Sequence, residues 1–287
     1  MGGHLLWQAA DKWEIHTTFF KTPPVSCTGR WHQIDLTQAN KATELLQIIK
    51  PDAVIHTAAN SNLDACEKDT GLASAINLEA TKTLANECAK RSIRFIFTSS
   101  DMVYDGEKGF YKETDPAVPI SFYGKTKLDA ENAIVQIGGD YAIVRVALIY
   151  GKPAGGGNSF SEWMEKMLRS RQTVPLFTDQ YRTPILVNNL AEALLELAIN
   201  DFIGIMNLGG TERIDRYSFG KKYCRIFNYD EDLLNPCSMH NVEQTAPRPK
   251  DISMNVELAQ QVLKTDLLDI DDGLHNSRKS NLNLVNP

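Results

Sequence analysis

The chain has 287 residues, 43% hydrophobic and 23% charged, with a net charge of −6, enough to bury a sizeable core in one or two domains. That charge argues against a basic nucleic-acid footprint, and no apolar run approaches the roughly 20 residues of a membrane-spanning helix. Five cysteines without a Cys-x-x-Cys pair and six scattered histidines provide neither a disulfide framework nor a structural metal site.

The N-terminus reads Met1-Gly2-Gly3-His4-Leu5-Leu6-Trp7 and then meets Asp11, Lys12 and Glu14, too short and too charged for a signal-peptide core. A cytoplasmic protein with no metal, nucleic-acid or membrane partner is therefore expected. A dinucleotide-binding fold opens with a strand, a glycine-rich turn, and a helix whose N-terminus holds the pyrophosphate. Gly2 and Gly3 before an apolar helix read as the end of that turn, with about ten earlier residues absent by comparison with a full first βα turn. A cloning scar or a loose terminus is the alternative reading of the two glycines.

Residues 14–19 predict a strand. Residues 37–50 predict a helix with Leu45, Leu46, Ile48 and Ile49 on its apolar side, broken by Pro51-Asp52. A short buried strand (AVIHT) follows at 53–57, a helix at 71–90, a strand at 93–98, a helix at 124–137 and a strand at 141–145. Strands with near-continuous apolar runs, alternating with helices, specify parallel βαβ units: an α/β, Rossmann-like, doubly wound sheet with helices on both faces.

Beyond Tyr150 the pattern loosens. A loop (KPAGGGN) is predicted at 152–158 and helices at 159–169 and 187–200, the second with Leu190, Leu194 and Leu197 on one stripe. A strand at 204–208 and helices near 218–227 and 255–264 follow, and the polar stretch 275–287 is expected to fray. Residues 1–150 are thus expected to form an NAD(P)-binding domain and 151–287 a smaller α/β, mainly substrate-binding region, with about 184–209 packing back on the first domain.

Three Tyr-x-x-x-Lys pairs occur: Tyr104/Lys108, Tyr123/Lys127 and Tyr217/Lys221. The first spans the turn dipeptide Asp105-Gly106, and the third has no hydroxyl-bearing strand end nearby in sequence. Tyr123 and Lys127 open a helix, where i and i+4 project together, after a strand that leads into Ser99-Ser100. In open α/β sheets the ligand crevice lies at the carboxyl ends of the strands. Reduction of a ketone by hydride needs an acid for the developing alkoxide. Tyrosine, with a pKa of about 10, is a weak acid that a lysine ammonium shifts toward phenolate. The Ser100 hydroxyl would orient the carbonyl oxygen. Without this context, Tyr123 and Lys127 would read as a half-buried tyrosine beside a solvated lysine.

The blocks TSSDMVYDG (98–106), YGKTKLDAE (123–131), RVALIYG (145–151) and DQYRTPILVNNLA (179–191) resemble the dTDP-4-dehydrorhamnose reductase family, in family order, over a similarity running from Gly2 to about Gly273. The resemblance implies Ser100, Tyr123 and Lys127 as catalytic residues, with Lys127 also touching the nicotinamide ribose. It implies cofactor contacts from Gly2, Gly3, Asp35, Leu36, Ala58, Ala59 and Asn77. Met102 stands where the family commonly has Tyr. Asp35 reads equally as a cap leading into the helix at 37–50. No acid follows the strand at 14–19 to hold a ribose 2′-hydroxyl, and Lys21 stands there instead, so NADP(H) is preferred with NAD(H) as the alternative. Asp101, Met102, Val103, Arg182 and Arg248 are the substrate-side candidates, the two arginines for a diphosphate.

The implied activity is NAD(P)H-dependent reduction of a 4-keto-6-deoxy sugar nucleotide, in a protein compatible with a homodimer. Nucleotide-sugar epimerisation or dehydration is the alternative within the superfamily, although Asp101-Met102 poorly matches the extra acid–base pair of a dehydratase. A third reading is a non-catalytic NADP-binding subunit, because residues 99–106, 123–131 and Arg248-Pro249 are also similar to the methionine adenosyltransferase beta subunit. A fourth is a truncated, inactive product.

Overall fold

The computed structural model describes residues 1–21, 23, 29–153, 159–242 and 245–283. Helix α1 (Gly2–Ala9) buries Leu5, Leu6 and Ala9. Strands β1 (His16–Phe19) and β2 (Arg30–Gln33) pair in parallel, from His16 opposite Arg30 to Phe19 opposite Gln33. β2 is polar and half-exposed, so the sequence pattern predicts only β1. Helix α2 (Ala39–Ile49) ends at Lys50, in a left-handed conformation with φ 50°, as expected where Pro51 follows.

β3 (Ala53–His56), β4 (Arg94–Ser100) and β5 (Tyr141–Val146) run in parallel, with Val54 beside Phe95 and Phe97 beside Ile143. Helices α3 (Leu63–Lys68), α4 (Thr70–Ser74) and α5 (Ala80–Lys90) link β3 to β4. The single helix expected over 71–90 is interrupted by a π-helical turn, Ala75–Glu79, which carries the buried Asn77. Such turns insert a residue into the helical ladder and often mark functional sites. Between β4 and β5 come a 3₁₀ turn, Asp101–Val103, and helix α6 (Phe122–Ile137).

The C-terminal part comprises β6 (Ile149–Tyr150), α7 (Phe160–Arg169), β7 (Val174–Phe177), β8 (Tyr181–Arg182), β9 (Ile185–Leu186), α8 (Val187–Leu197), β10 (Gly204–Leu208), β11 (Ile214–Asp215), α9 (Arg216–Phe227), β12 (Leu234–Cys237), α10 (Glu257–Val262) and α11 (Ile270–Asn283). β10 pairs in parallel with β5 and completes a sheet of order β10-β5-β4-β3. β1 and β2 form a separate two-stranded ladder.

Alternating side chains send the sheet's apolar residues to two faces. Ile96, Val144 and Met206 pack with Leu5 of α1 and Leu190 and Leu194 of α8. Phe95, Phe97 and Ile143 pack with Leu46, Leu84 and Ile134 of α2, α5 and α6. This is a Rossmann-like α/β fold with helices on both sides of a parallel sheet. A third cluster, including Met164, Leu176, Phe219, Leu234 and Leu274, fills the C-terminal region.

The polar end of the chain is helical rather than frayed through Asn283. Leu274 is fully buried, and Arg278 donates to the Ile226 carbonyl at 2.6 Å. A Cβ on Gly273 would lie 1.8 Å from the Tyr150 hydroxyl, so glycine permits this close packing. Of the loop expected at 152–158, residues 154–158 lie outside the described residues, as does 284–287 of the tail.

Candidate active site

β4 ends at Ser100, and the Ser100 hydroxyl accepts from the Met102 N–H at 3.2 Å, starting the 3₁₀ turn. Ser121 caps α6 by accepting from the Gly124 N–H at 3.2 Å. A Cβ on Gly124 would lie 2.1 Å from the Met102 carbonyl, so glycine lets α6 press against the turn. That contact brings Tyr123, on the first turn of α6, close enough to Ser100 for the hydroxyl to act on the phenol, while Ser100 Oγ itself donates to Asp101 Oδ1 at 3.2 Å. Lys127 follows one turn along α6, with its Nζ 4.0 Å from the centroid of the Phe97 ring.

Ser100 and Tyr123 are buried, and Lys127 is 1% exposed. Burial raises the Tyr123 phenol above its ordinary range; the nearby Ser100 hydroxyl opposes this, and the Asp101 charge adds to it. Burial lowers Lys127 to about 7, with Glu131 as the opposing influence. The ammonium was expected to draw Tyr123 toward phenolate. Here burial dominates both groups, because each charged form is taken out of water.

Glu131, one turn beyond Lys127, anchors a buried network that sequence reasoning missed. It accepts from Ser99 Oγ at 2.5 Å and from Arg145 Nη2 at 2.7 Å. Arg145 Nη1 also donates to the Tyr104 hydroxyl at 2.8 Å, which donates to Asn207 at 2.9 Å. The available signal was an arginine inside the apolar run YAIVRV, since a charge on a buried strand demands a partner.

The cofactor candidates gather mainly at the carboxyl ends of β1 to β4. Ala58 is exposed beyond β3. The loop after it is fixed by Asn77, whose Oδ1 accepts from the Asn60 N–H at 2.8 Å and whose Nδ2 donates to Thr126 Oγ1 at 3.0 Å. Asn77 thus ties the segment containing Ala59 to α6. Lys21 lies past β1, with its Nζ 5.2 Å from the Phe20 ring centroid. Asp35 accepts from the Thr37 N–H and hydroxyl at 3.0 and 2.7 Å, closing a turn ahead of α2, whose N-cap is Gln38 and not Asp35, and Leu36 packs against the core. Gly2 and Gly3 form the first turn of α1, which holds no acidic residue, and a Cβ on Gly2 would meet nothing within 4 Å. The first turn of a helix suits an anionic group, and the open space beside Gly2 leaves room for one, so the residues present fit a dinucleotide.

On the substrate side, Met102 packs in one cluster with Tyr123. Val103 is fully buried in the same cluster. Asp101 is buried, and desolvation raises its carboxyl, with Arg182 the leading opposing charge. Arg182 donates to the carbonyls of Tyr181, Pro249 and Lys250 at 2.6, 3.1 and 3.3 Å, and thereby fixes the segment that holds Arg248. Arg248 pairs with Asp64 on α3 at 3.2 Å. Arg216 at the start of α9 was not anticipated; its charge acts on both Arg182 and Asp101. A cavity of about 500 Å³ lined by Tyr150, Lys152, Glu162, Lys166, Arg169 and Tyr223, among others, includes none of the catalytic candidates. Among the described residues there is no metal-binding cluster and no helix long and apolar enough to cross a membrane.

The sequence profile of the RmlD substrate binding domain matches residues 3–280. The chain is 36% identical over 249 residues to the "Probable low-salt glycan biosynthesis reductase Agl14" of Haloferax volcanii, covering 82% of each. It is 32% identical over 226 residues to the methionine adenosyltransferase 2 subunit beta of Xenopus laevis, covering 77% of this chain and 67% of that one. Among solved structures, a hypothetical dTDP-4-dehydrorhamnose reductase from Sulfolobus tokodaii superposes with a TM-score of 0.82 at 30% identity, over 95% of this chain and 94% of the other. A dTDP-4-dehydrorhamnose reductase from Bacillus anthracis, solved in complex with NADP, has the same fold with a TM-score of 0.83 at 23% identity, over 91% and 92% of the two chains.

Proposed function

Since the chain belongs to the RmlD substrate binding domain family, we propose that it reduces a 4-keto-6-deoxy sugar nucleotide with NAD(P)H, Tyr123 donating the proton. The observation that carries this reading is the buried grouping of Ser100, at the carboxyl end of β4, with Tyr123 and Lys127 on the first turns of α6.

A bound nicotinamide supplies the hydride. Negative charge then grows on the carbonyl oxygen, and Tyr123, kept protonated by burial, gives it a proton. Ser100 donates a hydrogen bond to the same oxygen and fixes its direction. Lys127, lowered to about 7, is able to hand a proton back to Tyr123 near neutral pH. Gly2, Gly3, Ala58, Ala59, Asp35 and Leu36 would hold the cofactor with Tyr123 and Lys127, while Asn77 holds the loop. Lys21, with no competing acid after β1, favours NADP(H) over NAD(H). Residues 1–150 together with 184–209 form the cofactor half, and the remainder supplies Arg182 and Arg248 to the sugar nucleotide beside Asp101 and Met102.

The test is to mix the protein with NADPH and a dTDP-linked 4-keto-6-deoxy sugar and follow loss of nicotinamide absorbance. Consumption that depends on the sugar supports the reading; none, with the cofactor bound, overturns it. The subunit relative favours a second reading, a cofactor-binding subunit without turnover. NADPH binding, absence of turnover and co-purification with a methionine adenosyltransferase would together support it.

A further inference from the structure

β11 pairs with β8 so that Ile214 lies opposite Arg182 and Asp215 opposite Tyr181. Arg216 follows directly and is the first residue of α9. Two guanidinium groups, that of the buried Arg182 and that of the half-buried Arg216, thereby act electrostatically on the buried carboxylate of Asp101. Arg182 is committed to three backbone carbonyls, and its Nε stands 3.9 Å from Asp101 Oδ2.

Arg216 is held differently. Its Nε donates to Gln180 Oε1 at 3.0 Å, and its guanidinium lies 4.5 Å from the centroid of the Phe160 ring. Its Nη1 is buried without a hydrogen-bond partner, as is Asp101 Oδ2. Asp251 also acts on Arg182 but is paired with Arg213, so the cations still outnumber the carboxylates, and a buried unpaired guanidinium N–H is costly unless an anion meets it. Gln180 and Phe160 fix the plane of the group, pre-organising it for a forked contact with an oxyanion.

We propose that Arg216 is a substrate-binding residue that holds the diphosphate of the sugar nucleotide, with Arg182 reinforcing its charge from behind. The substrate class rests on the reductase reading; the anion site rests on the cluster itself. Asp101 directly follows Ser100 at the end of β4, and Arg216 approaches Asp101 from the start of α9 in the C-terminal region. A diphosphate at C1, across the pyranose ring from a C4 carbonyl, matches that order. A carboxylate at C5 would adjoin the reacting carbon.

Titration calorimetry with dTDP, UDP, thymidine and NADPH tests the assignment on the parent protein and on Arg216→Gln and Arg216→Lys. Arg216→Gln should weaken binding of the preferred diphosphate at least ten-fold, and Arg216→Lys should recover part of the loss. Thymidine and NADPH affinities should stay unchanged. Unchanged diphosphate affinity, equal loss for thymidine, or no binding of either diphosphate to the parent overturns the proposal. Loss of UDP-glucuronate binding with UDP and dTDP unaffected would assign the anion to a sugar carboxylate and also overturn it. Gln180→Ala, which frees the guanidinium while keeping the charge, should weaken diphosphate binding several-fold and decides the matter if Arg216→Gln fails to fold. Arg216-dependent diphosphate binding without NADPH consumption supports the subsite and overturns the reductase reading.

Discussion

The ammonium of Lys127 rests 4.0 Å from the centre of the Phe97 ring, and Phe97 is itself fully buried. A π face attracts the cation but replaces only part of its lost hydration. The lysine consequently titrates near neutrality, at about 7.

This has a measurable effect on stability. The folded chain binds the Lys127 proton more weakly than the unfolded chain, whose value is the ordinary 10.5. Between about pH 7 and 10.5 the unfolded state therefore carries more of this proton, and stability gains from this site as pH rises; below that window the full cost of the buried ammonium is present. Lys127→Met should exceed the parent in stability by about 2–5 kcal/mol near pH 6. Urea melts should show the gap narrowing toward pH ~10. A gap independent of pH would show that Lys127 titrates normally.

Gly124→Ala places a methyl group against the Met102 carbonyl. Either α6 or the 3₁₀ turn must shift, separating Tyr123 from Ser100. A loss of about 1–3 kcal/mol in stability and roughly a ten-fold to hundred-fold fall in kcat are expected. Full activity in this variant would mean that the close approach does not position the tyrosine.

The Glu131–Arg145 pair has side chains 1% and 4% exposed. Removing one partner strands the other charge, so Arg145→Met should cost about 3–5 kcal/mol, and a second change, Glu131→Leu, should restore part of it. Chemical denaturation of the single and double variants measures the coupling. A single variant as stable as the parent would contradict it.

The parallel sheet was legible because β3, β4 and β5 are apolar runs between helical patterns, and Tyr123, Lys127 and Ser100 were legible from a spacing set on a strand end. β2 was not, since Arg30–Gln33 is polar and takes its strand form from pairing with β1. The π-turn depends on Asn77 reaching Asn60 and Thr126, contacts distant in sequence. α11 was read as frayed because its order comes from Leu274 and from Arg278 meeting a distant carbonyl. Arg216 looks like any arginine opening a helix until β8 and β11 bring it against Asp101 and Arg182. Each miss is a tertiary contact that local pattern does not encode.

The most direct test compares the parent with Tyr123→Phe in single-turnover reduction of a dTDP-linked 4-keto-6-deoxy sugar by bound NADPH. The account predicts a rate lower by about 10²–10⁴-fold at saturating NADPH, with the melting temperature preserved. Equal rates in the two proteins would contradict it.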